Sequence, residues 1–363
     1  MIDATLEKAV GLPFVMERLQ PRTPWGRDLK ARLRPFSPAD ADKLEDAFDA
    51  LAAAAGLEGW RLHDTLSRFR EIRGTLSELR RGRLSETELF ELKRFVLNAE
   101  ALRALLIEQR APARFALPPL DAALAVLDPG GARDPAFSAA QSDEALRALL
   151  RKKAAAQPGS AEFLRLKDEE QRALESALLR LSGALRPEAD TLERAALAVG
   201  SLDFALARAE LSARYGGVRP RVGAGALVLE DAVNPSVPDF QPLSFVFRRG
   251  CTVLTGANMG GKSTALCAVA LNVLLALMGL HPFAAGLETP HFTCLRLIAG
   301  DHSRSGLSEF GAQAALLADA LSQADGDALI LIDELARGTN PEEGAAIAAA
   351  TAEYLNARRA VGV

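Results

Sequence analysis

Two glycines, a lysine and a serine at fixed spacing give the chain its first chemical reading. Gly256 and Gly261 stand five apart, with Lys262 and Ser263 following, in the run Leu254-Thr255-Gly256-Ala257-Asn258-Met259-Gly260-Gly261-Lys262-Ser263-Thr264. That is the G-x-x-x-x-G-K-[ST] pattern of a phosphate-binding loop, or Walker A. Glycines let the backbone turn with its N–H groups inward, so that amides and the positive end of a helix surround a triphosphate. In such a loop Lys262 neutralises the outer phosphates of ATP and Ser263 holds Mg²⁺. Gly256 to Thr264 are the candidate nucleotide-binding residues.

The same chemistry requires a second, acidic element. Ala328-Leu329-Ile330-Leu331-Ile332-Asp333-Glu334 is an apolar run ending in two carboxylates, the form of a Walker B strand. Ligands bind at the C-terminal edge of buried parallel strands. Asp333 is expected to hold Mg²⁺ through water, and Glu334 to orient or deprotonate the attacking water. The plain alternatives are a chance match in a glycine-rich loop and a strand that happens to end in acids.

These residues need a strand before the loop and a helix after it. Val253 and Leu254 end an apolar run that reads as the strand, and an apolar helical stretch begins at Ala265. From Ala265 to Leu280 only Asn272 interrupts the apolar run, which is short for a membrane span and leaves directly from the loop. It reads as a buried helix on a parallel sheet, and no membrane association is expected. Ala226–Leu229 and Ser244–Phe247 are further strand-like runs, so alternating strand and helix signals continue to the end.

The preceding two thirds are rich in Ala, Leu, Arg and Glu and read as helical. Thr23-Pro24 and Ser37-Pro38 each place a hydroxyl before proline at a helix start. Ser85-Glu86-Thr87-Glu88 is a capping box, and residues 5–110 read as four or five helices. Pro-Gly punctuation near 128–136 suggests a boundary. Two helical stretches broken at Gln157-Pro158-Gly159-Ser160 suggest an antiparallel hairpin, and a further helix runs from Pro187 to Tyr215.

Charge is uneven. The whole chain carries a formal −4, residues 232–363 hold 8 Lys+Arg against 12 Asp+Glu, and residues 1–231 hold 35 of each. No region is basic overall, so charge gives no argument for obligate nucleic-acid binding. Arg68 to Arg73 and Arg80 to Arg83 could touch phosphate or form a solvated helix face. Three cysteines without metal-ligand spacing and no signal peptide fit a reducing, cytoplasmic setting.

A resemblance adds to this reading. Thr255 to Thr264 looks like the T-G-P-N-M-G-G-K-S-T of the MutS family, with Ala257 in place of proline. Asp333-Glu334-Leu335-Ala336-Arg337-Gly338-Thr339-Asn340-Pro341-Glu342-Glu343-Gly344 resembles its D-E-x-x-x-G-T-x-x-x-x-G segment. Weaker similarity lies at Thr23–Arg27, Leu33–Pro35, Leu202–Ala209 and Val233–Pro235. The match is closest to branches without the mismatch-reading domain.

The resemblance implies an α-helical core and lever module followed by an α/β P-loop ATPase domain with a mostly parallel sheet. Residues 1–128 correspond to the helical core, 129–222 to lever and short clamp helices, and 223–363 to the ATPase domain. It implies a homodimer through the ATPase domain, with Ser308, in Gly306-Leu307-Ser308-Glu309-Phe310-Gly311, reaching the partner's γ-phosphate. A simple helix N-cap before Glu309 is the alternative. Asp301-His302-Ser303-Arg304-Ser305 lacks the family's glutamine, and the chain stops at Val363 before the family's Thr-His switch. A C-terminally incomplete member with weakened turnover is therefore expected.

Two functions remain open at this stage. One is an ATPase acting on mismatched or branched DNA in repair or recombination, with Arg147, Arg151, Lys152 and Lys153 as backbone contacts. The other is ATP-driven remodelling of a protein partner, such as a cobalamin-dependent lysine aminomutase. An ATP-binding scaffold without turnover is a third reading.

Overall fold

The computed structural model describes residues 4–57, 59–256, 261–298, 309–333, 335 and 340–363. Its backbone contacts form two compact units, one of Pro21–Arg32 and Ala53–Leu206, the other of Met1–Gln20, Leu33–Ala52 and Ala207–Val363.

The first of these is built from helices around Glu86–Glu108. The capping box starts this helix as expected: Ser85 Oγ accepts the Glu88 N–H at 3.3 Å, and the Glu88 carboxylate accepts the Ser85 N–H at 2.7 Å. Leu89, Leu92, Phe95, Val96, Ala99 and Leu102 then recur at helical spacing and are buried. Trp25, Phe69 and Phe95 meet edge to face beside them, with ring centroids 5.5 to 6.3 Å apart.

Thr23 caps Pro24–Ala31 by accepting the Gly26 N–H at 3.0 Å. The fully buried Asp203 carboxylate holds that capping residue in place through its N–H at 2.7 Å and its hydroxyl at 2.8 Å. Gly26 is required there, because a Cβ would lie 2.2 Å from Asp203 Oδ2.

Glu144–Ala155 and Ala161–Leu185 form the expected hairpin, antiparallel because Asp143 pairs with Arg180 and Lys153 with Glu170. Much of the basic stretch before it is neutralised: Arg68 pairs with Asp64, Arg73 with Asp28 and Glu71, and Arg80 with Asp190 and Glu193. Those arginines form a salt-bridged surface.

The other unit carries eight strands among its described residues: β1 Arg221–Val222, β2 Leu227–Ala232, β3 Leu243–Phe247, β4 Gly250–Cys251, β5 Gly286–Thr289, β6 Cys294–Ile298, β7 Ala328–Ile332 and β8 Val361–Gly362. They make two four-stranded sheets, in the orders β1-β5-β2-β3 and β4-β8-β7-β6. The second sheet is parallel throughout. The first is mixed, with β2 antiparallel to both β3 and β5.

The helix Lys262–Leu277 packs against β2, β5 and β6, and twelve of its residues from Ala265 to Leu277 are buried. Its one internal polar residue is used: Asn272 donates to Val233 O at 3.1 Å and Ala268 O at 2.9 Å, and accepts the Phe283 N–H at 2.7 Å. Among the described residues no helix is long and apolar enough to cross a membrane.

Four local expectations change. The strand expected at Val253–Leu254 ends earlier, at Cys251, and Val253 is 74% exposed. The helix after the glycine loop starts at Lys262, three residues before Ala265, because Gly261 in the left-handed region (φ 78°) ends the loop there. Ser37-Pro38 opens a short 3₁₀ turn, with the Ser37 hydroxyl turned to Asp40 at 2.7 Å, and the α-helix begins only at Ala41. The described residues between 4 and 108 form seven α-helices, since short turns divide the long helical runs.

Candidate functional site

The parallel sheet positions the chemistry-bearing residues. β7 is buried on both faces by its apolar run, and the chain leaves its C-terminal end at Asp333. The Asp333 N–H donates to Ile298 O at 2.7 Å, which extends the β6–β7 ladder by one step and fixes where the half-buried carboxylate begins. β4 leads at the same edge into Thr252 to Gly256.

Gly261 stands just before the helix, and Lys262 is its first residue. Lys262 Nζ donates to Gly256 O at 2.8 Å, so the lysine bridges the two described ends of the glycine loop. Ser263 is exposed and Thr264 half-buried in the first turn. The Ala265 N–H takes Gly261 O at 2.8 Å, while the earlier amides of a first turn have no intrahelical acceptor and suit an anion.

Lys262 and Asp333 line one cavity of about 250 Å³, together with Thr252, Leu266, Ile332 and Leu355. A cation, a helix N-terminus and a carboxylate around one space suit a polyphosphate with its divalent cation. The oxygen donors available, the Ser263 hydroxyl and the Asp333 carboxylate, are those Mg²⁺ prefers. Cys267, on the helix next to the site, has its thiol pushed above the usual range by burial and then by the negative charge of Asp333.

Of the expected site residues, Gly256, Gly261, Lys262, Ser263, Thr264 and Asp333 are therefore described. Ala257, Asn258, Met259, Gly260, Glu334 and Ser308 lie outside the described residues, as do Asp301 to Ser305. In the hairpin, Lys153 is paired with Glu170 and Arg147 donates to the carbonyls of Ala140 and Gln141, while Arg151 and Lys152 are exposed.

Sequence reasoning passed over Gly250 and Asn356. The Asn356 side chain accepts the Cys251 N–H at 2.8 Å, from the helix Pro341–Arg358. Only the glycine ahead of Cys251 hinted at a close approach; an asparagine near a helix end carries no such signal.

Residues 252–362 match the family model described as MutS domain V. The chain is 36% identical over 204 residues to the DNA mismatch repair protein MutS of Thermus aquaticus, an alignment covering 55% of this chain and 25% of that protein. It is 33% identical over 198 residues to Endonuclease MutS2 of Acetivibrio thermocellus, covering 52% and 25%. To Endonuclease MutS2 of Symbiobacterium thermophilum it is 35% identical over 206 residues, covering 54% and 26%. The chain thus spans about a quarter of the length of these relatives.

Proposed function

Since the chain belongs to the MutS family, we propose that its C-terminal part binds MgATP and hydrolyses it to ADP and phosphate, coupling that cycle to mismatched or branched DNA in repair or recombination. The observation that carries this reading is the meeting of Lys262 and Asp333 at one cavity on the C-terminal edge of the parallel sheet.

In this reading the residues from Gly256 to Thr264 hold the phosphates, with Lys262 neutralising the outer ones. Ser263 and Asp333 hold Mg²⁺, which screens the phosphate charge when bound. Glu334 orients or deprotonates the attacking water. A cytosolic homodimer presents Ser308 of one copy to the nucleotide of the other. Residues 1–128 act as core, 129–222 as lever and clamp, and 223–363 as the ATPase domain.

The test is a titration with MgATP, reading binding and phosphate release, with K262A and D333N alongside. Wild type should bind saturably. Loss of the charged contact in K262A should weaken binding about tenfold to a hundredfold, the range of a hydrogen bond to an ionised group. No binding by wild type would overturn the nucleotide reading; binding without release would reduce the protein to a nucleotide-controlled scaffold. Binding to a branched duplex should fall steeply with salt, and no affinity at low salt would remove DNA from the proposal.

The second reading, ATP-driven remodelling of a protein partner, is favoured by one observation. Arg68, Arg73 and Arg80 are already paired with carboxylates of the same unit and have less charge to offer a phosphate backbone.

A further inference from the structure

Among the described residues β4 stands at one edge of the parallel sheet, and it is the strand from which the glycine loop departs. Its pairing with β8 uses alternate amides: Gly250 N–H donates to Ala360 O at 2.7 Å and Thr252 N–H to Gly362 O at 2.8 Å. The Cys251 N–H between them points the opposite way, out of the sheet, where an edge strand ordinarily leaves its donors to water. Here Asn356 Oδ1 accepts it at 2.8 Å.

This contact is built from both sides. Gly250 has φ 110°, a conformation that L side chains rarely adopt, and a Cβ on it would stand 2.4 Å from Asn356 Oδ1. Asn356 is itself fixed, because its main-chain carbonyl accepts the Arg359 N–H at 3.1 Å where Arg359 turns into the left-handed region and ends the helix. The same helix begins at Pro341, behind Asn340, whose side chain accepts the Glu342 N–H at 3.1 Å. Its Ala348, Thr351, Ala352 and Leu355 line the cavity that Lys262 and Asp333 share.

We propose that Asn356 is a positioning residue for the nucleotide loop: through the Cys251 amide it fixes β4, and with it the loop that Lys262 closes, relative to the helix that follows the carboxylate segment. The inference rests on the nucleotide reading given above, and it assigns the helix Pro341–Arg358 a task at each end. Its start follows the segment after Asp333, and its last turn grips the strand entering the loop. A displacement of this helix is therefore carried to the strand entering the loop through this hydrogen bond, beside those that join β4 to β8. Asn356 touches no substrate; its effect passes through Cys251.

The experiment compares wild type with N356A and N356D on the full chain, with two readouts. The first needs no nucleotide: hydrogen exchange of the amides from Gly250 to Gly256. N356A should speed exchange there by about tenfold, as expected for the loss of a net hydrogen bond, while β6 and β7 stay protected. N356D keeps an acceptor at the same reach and should restore protection. The second is MgATP binding and turnover, where N356A should raise KM with kcat nearly unchanged and N356D should return it towards wild type. Unchanged exchange at Gly250 to Gly256 in N356A overturns the proposal, as does altered exchange with unaltered nucleotide affinity. If wild type itself fails to bind MgATP while the exchange effect appears, the nucleotide reading fails and the hold of Asn356 on β4 stands.

Discussion

The carboxylate of Asp203 accepts both the N–H and the hydroxyl of Thr23, 180 residues earlier in the chain, and its other oxygen accepts the Arg22 N–H at 3.0 Å. A helix start near one end of the sequence is thus held by an acid on a much later helix. Three donors thus converge on its two oxygens.

Asp203→Asn should therefore destabilise the protein by about 2–3 kcal/mol, since its amide turns a donor towards the N–H groups of Arg22 or Thr23. Burial lifts this carboxyl above its ordinary value despite those bonds. A folded-state value above the unfolded one contributes stability that is full below the ordinary value and lost as pH rises through the folded one. The difference in urea stability between wild type and the variant should accordingly shrink as pH rises through that window. A difference that is flat with pH would contradict the assignment.

Asp128 has the opposite sign. It forms a buried pair with Lys93 at 3.1 Å, each side chain less than a tenth exposed, and also accepts the Arg133 N–H at 2.8 Å. Burial works against its ionised form, but the bonds from Arg133 and Lys93 outweigh it and hold the carboxyl below its ordinary value. Stability from this group is present above the ordinary value and is lost as pH falls through the folded one. Lys93→Met should cost about 3–5 kcal/mol by leaving the acid unpaired in the interior, and Lys93→Met with Asp128→Leu should recover much of it. Thermal melts of the two variants check this.

Asn272 ties the buried helix to the chain on both sides of it. Asn272→Leu should fill the space but leave the Phe283 N–H without its acceptor, at a cost of about 1–3 kcal/mol. Hydrogen exchange of Phe283 measures it directly: protection should fall in the variant while the amides of β7 keep theirs.

Cys267 and Cys251 report on the site without a nucleotide. Burial raises both thiols, and Asp333 adds its charge only at Cys267. Asp333→Asn should speed alkylation of Cys267 at fixed pH and leave Cys251 unchanged. Equal acceleration of both would indicate loosening of the sheet instead of a local charge effect.

The parts of this architecture legible beforehand are those whose signal is local. Ser85 and Glu88 announce a helix start within four residues, Ala328–Ile332 is apolar throughout and is a strand over those same bounds, and Gln157–Ser160 breaks the hairpin where expected. The spacing of Gly256, Gly261 and Lys262 named a loop, and the structure brings Lys262 to the cavity of Asp333. Hidden were the features made by distant partners. β1, β4 and β8 have two residues each, too few for any alternation to register. β5, Gly286–Thr289, has one buried leucine and reads as loop until β2 pairs with it. Val253 and Leu254 misled because an apolar pair reads as strand whether or not a neighbour exists to bond it.

The two strands that carry the site do not touch. β8 lies between them, bonded to β4 through Ala360 and Gly362 and to β7 through Val363, which accepts the Ile332 N–H at 2.8 Å and donates to Ile330 O at 3.0 Å. β8 is thus the spacer that sets the lateral distance between the strand ahead of Lys262 and the strand ahead of Asp333.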